Sequence, residues 1–401
     1  MLDSPAQPST TVNFDEPIDR RNTNCAKWDA LASLYNMDQN DALAMWVADM
    51  EFKPPQSVLD ALTDMVDHGI FGYYGDQSAY KAAITGWMER RHGWSVDPDA
   101  IFTTYGLGHA IALSIQTWSA PGDGVILFTP VYHVFSKLVR ANDRVVVESP
   151  LMVDDAGLYR MDLEALEASL TGNEKMIIFC SPHNPGGRVW SAEELLAVGA
   201  FARKHELTLI CDEIHHDLVF EGAKHTVMAT LEDAPMERVV MLTAASKTFN
   251  IAGPHSGNVI IPDETLRAAF AKTVLAHSIQ PNSVGLAMTQ AAYNGGEAWL
   301  EEALVYLAEN KRLFDEAINA IPGLSSMPLE GTYLAWVDFA GTGMGADEFT
   351  ARVEKDARIA TNHGPTFGTG GESRLRFNLA CPRAQLEEAI SRLQQAFSDL
   401  Q

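Results

Sequence analysis

The sequence RVVMLTAASKTFN occupies positions 238–250 and joins an apolar run to a single lysine among small and hydroxyl residues. The run from Arg238 to Leu242 predicts a buried β-strand, and Lys247 follows just beyond its carboxyl end. Open α/β sheets bind their ligands at that edge. A lysine crowded by apolar packing loses its proton more readily, and its neutral amine can form a Schiff base with a carbonyl. A solvated loop lysine is the alternative that this stretch alone leaves open.

The surrounding pattern predicts a sheet of mostly parallel strands. Apolar runs at 175–180 and 207–211 flank a helix that begins at Ser191, where Glu194 completes a capping box, so this segment is a βαβ unit. Further strands are expected at 125–128, 144–148, 239–242 and 258–261. We therefore predict an α/β domain with helices on both faces of its sheet.

The length of the chain predicts two domains, because 401 residues exceed one ordinary hydrophobic core. Residues 1–49 are expected to form an N-terminal arm and part of the small domain. Residues 50–289 are expected to form the large α/β domain, which contains Lys247 and the sheet edge beside it. Long helical patterns and two short strands predict a small α+β domain over residues 290–401.

The charge of the chain excludes several classes of partner. Its 29 basic and 53 acidic residues give a net charge of −24, which argues against binding to nucleic acid or anionic membrane surfaces. No apolar run reaches membrane-spanning length, and residues 1–10 lack the pattern of a secretory signal. Four scattered cysteines without metal-ligand spacing suit reduced thiols. We therefore expect a cytoplasmic protein with no nucleic-acid or membrane partner.

An acidic residue is predicted to share the sheet edge with the lysine. Asp212 follows the strand at 207–211 directly, and a carboxylate there can hold a proton on a heteroaromatic nitrogen. His215 can hydrogen-bond another atom of the same ring. The alternative is a metal cluster of His215, His216 and Asp217. Adjacent histidines tend to point apart and no further ligand spacing supports that cluster, so no metal is expected.

Two glycine-containing loops supply further candidate groups. Asn184 lies in the loop that leaves the strand at 175–180, and its amide can donate to a ring oxygen. Gly106 and Gly108 precede an apolar-periodic helix, whose first N–H groups and dipole can hold a phosphate. The hydroxyl of Ser246 could bind the same phosphate. Ordinary turns remain the alternative for both loops.

An aromatic and a basic side chain complete the candidate site. Tyr132 follows another predicted strand and could stack on a flat ring. Arg376 lies in a small-domain strand with apolar neighbours, which suits bidentate binding of a substrate carboxylate, although a structural ion pair is equally compatible with the sequence. Together these groups fit a phosphorylated aromatic aldehyde with a ring nitrogen, bound to a lysine. Pyridoxal 5'-phosphate (PLP) has all of these features.

Five motifs spread over nearly the whole chain carry a family resemblance. They are MWVADM at 45–50, PHNPGGRVW at 182–190, DEIH at 212–215, ASKTFNIAG at 245–253 and RFNLACPR at 376–383. With them the sequence resembles the fold type I PLP-dependent enzymes of the class I/II aminotransferase superfamily. Within that superfamily it is most similar to the carbon–sulfur lyase (cystathionine β-lyase) branch, where histidine replaces the usual tyrosine at the position of His215.

The resemblance implies a fold, an assembly and a set of residue roles. The fold is that of the type I PLP enzymes, with a mixed, mostly parallel seven-stranded sheet between helices and a smaller α+β domain. The family is homodimeric, with active sites shared between subunits. The implied residues are Lys247 as Schiff-base residue and proton shuttle, Asp212 at the pyridinium, Asn184 at the ring oxygen, Tyr132 stacked on the ring, His215 beside the cofactor, Gly106, Leu107 and Ser246 at the phosphate, Tyr73 reaching the neighbouring site, and Arg376, Trp46 and Ala48 at the substrate.

The function implied is β-elimination from an L-cysteine thioether to give a thiol, pyruvate and ammonia. An aminotransferase that uses the same residues is the second hypothesis, and a regulatory PLP-binding protein is the third, although no DNA-binding segment accompanies it. The chain departs from the family pattern at two places. His255 stands where many aminotransferases have a phosphate-binding arginine, and residues 277–283 are unusual.

Overall fold

The computed structural model describes residues 12–400 and is built around a large central sheet. The expectation about a secretory signal concerns residues 1–10 and lies outside the described residues. The strands are β1 (Leu43–Ala44), β2 (Ile101–Thr104), β3 (Gly124–Thr129), β4 (Val145–Pro150), β5 (Met152–Val153), β6 (Tyr159–Arg160), β7 (Glu174–Cys180), β8 (Thr208–Asp212), β9 (Val239–Thr243), β10 (Gly257–Ile260), β11 (Ser325–Ser326), β12 (Leu334–Asp338), β13 (Ile359–Ala360), β14 (Asn362–His363) and β15 (Arg374–Asn378).

The central sheet has seven strands in the order β2-β10-β9-β8-β7-β3-β4. Strand β10 runs antiparallel to both of its neighbours, and the other pairings are parallel. Every residue of β3, β8 and β9 is buried, because helices cover both faces of the sheet. The predicted mixed, mostly parallel seven-stranded sheet is therefore confirmed.

The helices include two that the sequence pattern predicts, one after the glycines at 106 and 108 and one after Ser191. The helices are α1 (Ala26–Asp29), α2 (Leu31–Tyr35), α3 (Gln56–His68), α4 (Ser78–His92), α5 (Leu107–Trp118), α6 (His133–Ala141), α7 (Leu163–Ser169), α8 (Ala192–Lys204), α9 (Ala245–Thr248), α10 (Glu264–Ala276), α11 (Ser283–Gly295), α12 (Glu297–Asn319), α13 (Ala346–Ala351) and α14 (Arg383–Ala396). The capping box of Ser191 and Glu194 begins α8 as predicted. No helix of the described residues is long and apolar enough to cross a membrane.

A second, four-stranded sheet lies in the C-terminal part of the chain, in the order β11-β12-β15-β14. Strand β1 pairs in parallel with β13, so residues near the start of the described chain join this part of the structure. The hydrophobic core is continuous between the two sheets and includes both Trp87 and Trp336. The boundaries at 49/50 and 289/290 stay a prediction.

The loop at residues 46–52 is held by one side chain from β15 and one from the segment that follows α9. Asn378, on β15, donates through its amide nitrogen to the carbonyls of Val47 and Asp49, each at 2.6 Å. Asn250, just after α9, accepts from the N–H of Met50 at 2.9 Å and donates to the carbonyls of Met50 and Phe52. The loop is therefore fixed in place before any ligand binds.

We expect Asn250→Ala to lower the free energy of unfolding by about 2–4 kcal/mol, because it leaves the N–H of Met50 and the carbonyl of Phe52 without a partner. Asn250 also has a φ of 55°, in the left-handed region. Asn250→Gly relieves that strain and should therefore be about 1 kcal/mol more stable than Asn250→Ala. Thermal and urea unfolding of both variants measure the difference.

Exposed Asn36, with a φ of 52°, provides the matched control. The Asn36→Ala and Asn36→Gly variants should differ in free energy of unfolding by the same backbone contribution of about 1 kcal/mol. Neither should show the larger loss expected at position 250, where hydrogen bonds to the loop are removed. An Asn250→Ala variant as stable as the native protein would refute the role given to this side chain.

Candidate active site

A cavity opens at the carboxyl edge of the central sheet, beyond the ends of β7 and β8 and beside α9. Parallel strands end at one edge, so side chains that are distant in sequence meet there. Seven of the residues predicted from the sequence line this cavity: Ala48, Leu107, Tyr132, Asn184, Asp212, His215 and Lys247. The structure thus brings together residues separated by up to about 200 positions in the chain.

Lys247 is partly buried in the short helix α9, which follows β9. Its Nζ donates to the carbonyl oxygen of Ala48 at 2.6 Å. Burial lowers the pKa of Lys247 to about 8, although the nearby carboxylate of Asp49 opposes the shift. A sizeable fraction of this amine is therefore neutral near physiological pH, which is the form that attacks a carbonyl.

Asp212 is the last residue of β8 and is buried at the floor of the cavity. One carboxylate oxygen accepts from the N–H of Ile214 at 3.1 Å. Burial raises the pKa of Asp212 to about 7, against the opposing effects of this hydrogen bond and of the charge on Lys247. A cationic partner would favour the carboxylate form, so the group is suited to a protonated ring nitrogen.

The adjacent histidines at 215 and 216 face different surroundings. His215 is buried in the cavity, its Nδ1 has no hydrogen-bond partner, and its pKa is held well below the ordinary value by burial and by the charges of Lys247 and Arg376. It is therefore a neutral imidazole. His216 lies instead against Asp217, with its Nε2 at 3.1 Å from a carboxylate oxygen. The cluster considered from sequence, with both histidines on one metal, is not formed.

Arg376 is buried on β15, immediately behind the cavity. Its guanidinium donates to Asn184 Oδ1 at 3.0 Å, to the carbonyl of Trp46 at 2.9 Å and to Asn362 Oδ1, while its Nε has no partner. Burial lowers the pKa of Arg376 to about 10. Within residues 12–400 it forms no ion pair with a carboxylate, so the guanidinium is suited to bind an anion from outside the chain.

The glycine loop before α5 has the geometry of an anion site. Gly106 is the N-cap of this helix with a φ of 78°, and Leu107 and Gly108 line the cavity. Ser246 is partly buried next to Lys247 but is not among the lining residues. His255 approaches the same loop, since its Nδ1 would lie 3.8 Å from a Cβ placed on Gly106.

Of the twelve predicted residues, five do not line the cavity: Gly106, Ser246, Arg376, Trp46 and Tyr73. The indole of Trp46 packs edge-on against Tyr35 and donates to the carbonyl of Lys27 at 2.8 Å, so only its backbone oxygen reaches Arg376. Tyr73 is 97% exposed and borders a separate hollow with Ile70. The prediction that Tyr73 contacts the active site of a neighbouring subunit stays a prediction, and its exposed side chain is compatible with such a contact.

Sequence reasoning missed three residues that hold the site in place. Tyr333 donates to the carbonyl of Ala48 at 2.9 Å, and burial raises the pKa of its hydroxyl. Asn362 accepts from Arg376, and Asn378 holds both flanks of Ala48. Each lies in or next to a strand of the C-terminal sheet, and no local spacing singles it out.

The comparisons with known proteins agree with this geometry. The sequence model of the family Aminotransferase class I and II matches residues 38–393. Cystathionine beta-lyase PatB of Bacillus subtilis is 37% identical over 390 residues, which cover 96% of this chain and 100% of PatB. The structure of cystalysin from Treponema denticola, which contains a pyridoxal 5'-phosphate cofactor, aligns with a TM-score of 0.92 and 34% identity over 97% of this chain and 100% of that one.

A third relative supports the same assignment. The PLP-bound C-S lyase from Staphylococcus hominis aligns with a TM-score of 0.88 and 30% identity, over 97% of this chain and 99% of that one. The chain therefore belongs to the aminotransferase class I and II family.

The cavity has donors and acceptors that fit pyridoxal 5'-phosphate. A buried acid with a raised pKa suits the ring nitrogen, a glycine-capped helix start suits the phosphate, and a partly neutral amine suits the aldehyde. His215 also lines this space, and its buried Nδ1 has no hydrogen-bond partner. The residues present thus match the chemistry of the cofactor that the family uses.

The lowered pKa of Lys247 predicts a stability effect in the cofactor-free protein. The pKa of Lys247 is about 8 in the folded protein and 10.5 ordinarily. Folding therefore disfavours the charged amine, and this cost to stability is fully present below about pH 8. We expect Lys247→Met to raise the free energy of unfolding at about pH 7 by about 1–3 kcal/mol. The gap to the native protein should narrow as the pH rises from about 8 toward 10.5, because the native amine then becomes neutral in both states.

Urea unfolding at two pH values on either side of that range measures the effect. Lys272→Met, at an exposed position of α10, is the matched control and should leave stability nearly unchanged. A Lys247→Met protein that is no more stable than the native one at neutral pH would show that burial does not penalise this charge.

Proposed function

We propose that this protein is a PLP-dependent carbon–sulfur β-lyase that converts an L-cysteine thioether such as cystathionine to a thiol, pyruvate and ammonia. The observation that carries the proposal is the 37% identity to Cystathionine beta-lyase PatB over 96% of the chain. The similarity spans nearly the whole chain and the full length of PatB rather than one motif. The structural similarity to a PLP-bound C-S lyase supports the same reaction class.

The residues of the cavity have separate tasks in holding the cofactor. Bound PLP supplies an electron sink for the α-carbon of the amino acid. Asp212 would pair with its ring nitrogen and Asn184 with its ring oxygen, while Tyr132 offers a flat face for stacking. The N–H groups at Gly106 and Leu107 would bind the phosphate.

Lys247, which lines the cavity, and Arg376, which lies behind it, would act on the substrate. With a pKa of about 8, the amine of Lys247 can both accept and return a proton at the substrate α-carbon. The buried guanidinium of Arg376 would hold the substrate carboxylate and so orient the bond that is broken. Ala48 accepts from both Lys247 and Tyr333, and it thereby fixes the position of the amine.

An aminotransferase is the second candidate, and the description of the matching family favours it. Both reactions begin with removal of the α-proton by the same lysine. They differ in whether a leaving group on the β-carbon departs before the proton is returned. The relatives named as lyases make elimination our first choice.

We also propose a homodimer in the cytoplasm. The exposed side chains Ile70, Phe71 and Tyr73 form an apolar surface that a second copy would cover, with Tyr73 directed toward the partner's cavity. The four cysteines are all free thiols, which suits a reducing compartment.

Asp212→Ala should lower kcat by about 100-fold or more, because the ring nitrogen loses its anionic partner. The cofactor should still bind, since Lys247 and the phosphate-binding loop are unchanged. Pyruvate formation measures kcat, and absorbance of the protein-bound cofactor measures occupancy. Asp347→Ala, an exposed residue of α13, serves as the control, and near-native turnover by Asp212→Ala would refute the role of the acid.

The reaction type is tested with cystathionine in the absence of any keto acid. A lyase should release pyruvate, ammonia and a thiol over many turnovers, because elimination leaves the cofactor ready for the next substrate. An aminotransferase would stop after one turnover per site and resume when a keto acid is added. Arrest with cystathionine and other cysteine thioethers, followed by rescue with a keto acid, would overturn the lyase proposal and leave the family assignment intact.

A further inference from the structure

A second cluster of titratable side chains lies outside the cavity and contacts α9 through Thr248. It consists of His92, His216 and Asp217, and one ligand atom from each lies within 4.8 Å of the others. His92 Nε2 is 2.9 Å from Asp217 Oδ1, and His216 Nε2 is 3.1 Å from Asp217 Oδ2. The two imidazole rings are 4.4 Å apart between centroids. The proposed reaction uses none of these three side chains.

The ring nitrogens of His216 are not satisfied by the protein. His216 is 2% exposed, and neither its Nδ1 nor its Nε2 has a partner with hydrogen-bond geometry, despite the short distance to Asp217. Buried polar atoms without partners are uncommon in folded proteins and call for a specific explanation. A metal ion located between the two histidines would accept the lone pair of His216 Nε2 and so give this atom a partner.

The carboxylate of Asp217 also lacks a permanent cation. Trp87 Nε1 donates to both of its oxygens at 3.1 and 3.2 Å, and the hydroxyl of Thr248 donates to Oδ2 at 2.8 Å. These donors are neutral. The nearby guanidinium of Arg91 forms its ion pairs with Glu297 and Glu301 instead. A fully buried carboxylate is most stable next to a positive charge, and protonated histidine or a metal ion can supply it.

We propose that His92, His216 and Asp217 form a binding site for a divalent transition-metal ion of the zinc type. Two imidazoles and one carboxylate are ligands that Zn²⁺ prefers, and a water molecule can occupy the fourth position. Bonds of about 2.0–2.1 Å separate tetrahedral ligands by roughly 3.4 Å. The observed spacings of 2.9 and 3.1 Å therefore need to widen by only a few tenths of an ångström.

The position of the site connects it to the catalytic lysine. Thr248 follows Lys247 in α9, and its hydroxyl donates to Asp217. His92 is the last residue of α4, and its side chain is 7% exposed whereas those of His216 and Asp217 are fully buried, so the site is nearest to solvent at this helix end. The site is distinct from the cofactor cavity, because none of its three residues lines that cavity.

The test uses the purified holoenzyme after treatment with a chelator and dialysis. Zn²⁺ binding is measured by calorimetry and by metal analysis, and Co²⁺ serves as a spectroscopic substitute whose visible absorption reports tetrahedral nitrogen and oxygen ligands. We expect one ion per chain and a rise in Tm of ~2 °C or more at saturating Zn²⁺. Circular dichroism and bound-cofactor absorbance verify that each variant is folded.

His92→Gln and His216→Gln should each weaken Zn²⁺ binding at least about 10-fold and change the Co²⁺ spectrum, because each removes one ligand. His205→Gln is the matched control, since His205 likewise lies at the C-terminal end of a helix and 3.3 Å from the carboxylate of Glu167. It should bind both ions like the native protein.

Several outcomes would overturn the proposal. Absence of a stoichiometric ion in the native holoenzyme would show that the cluster is only a hydrogen-bonded network. Binding that is unchanged in both His92→Gln and His216→Gln would place the ion elsewhere, including on the cofactor itself. Because the readout is metal affinity rather than turnover, the result is independent of the lyase proposal.

Discussion

The hydrogen bond from Lys247 Nζ to the carbonyl of Ala48 is the contact on which the site depends. It joins the edge of the central sheet to the loop at 46–52, which Asn378 and Asn250 hold from opposite sides. The amine is therefore aimed by two parts of the fold at once. A lysine on an unsupported loop would sample many rotamers and lose most of the advantage of proximity.

Burial of charge gives the site its chemistry. Burial shifts the pKa of Lys247, Asp212 and Arg376 in the direction that favours the neutral form of each group. None of the three has a fixed partner of opposite charge within hydrogen-bond distance among the described residues. Each is therefore available to a ligand that carries the complementary charge. A protonated ring nitrogen of the cofactor suits Asp212, and the carboxylate of an amino acid suits Arg376, while the neutral amine of Lys247 can react with the cofactor's aldehyde.

The residues predicted at strand ends were found where the sequence placed them, because the carboxyl edge of a parallel sheet collects the segments that follow each strand. Lys247, Asp212 and Asn184 are of this kind. Trp46 was predicted at the substrate, but its indole packs away from the cavity. Only its backbone carbonyl is near the site, where it accepts from Arg376. Tyr333 was missed, because its hydroxyl reaches the loop from the other sheet.

The sequence by itself determined the α/β architecture, the family and the chemical groups at the edge of the sheet, since periodicity and short motifs are local properties of the chain. Only the tertiary structure decided which way neighbouring side chains face and which distant residues they meet. His215 and His216 are adjacent, yet one enters the cavity and the other meets His92, more than 120 positions earlier. Such a meeting depends on how helices pack on the sheet, and no spacing within the sequence encodes it.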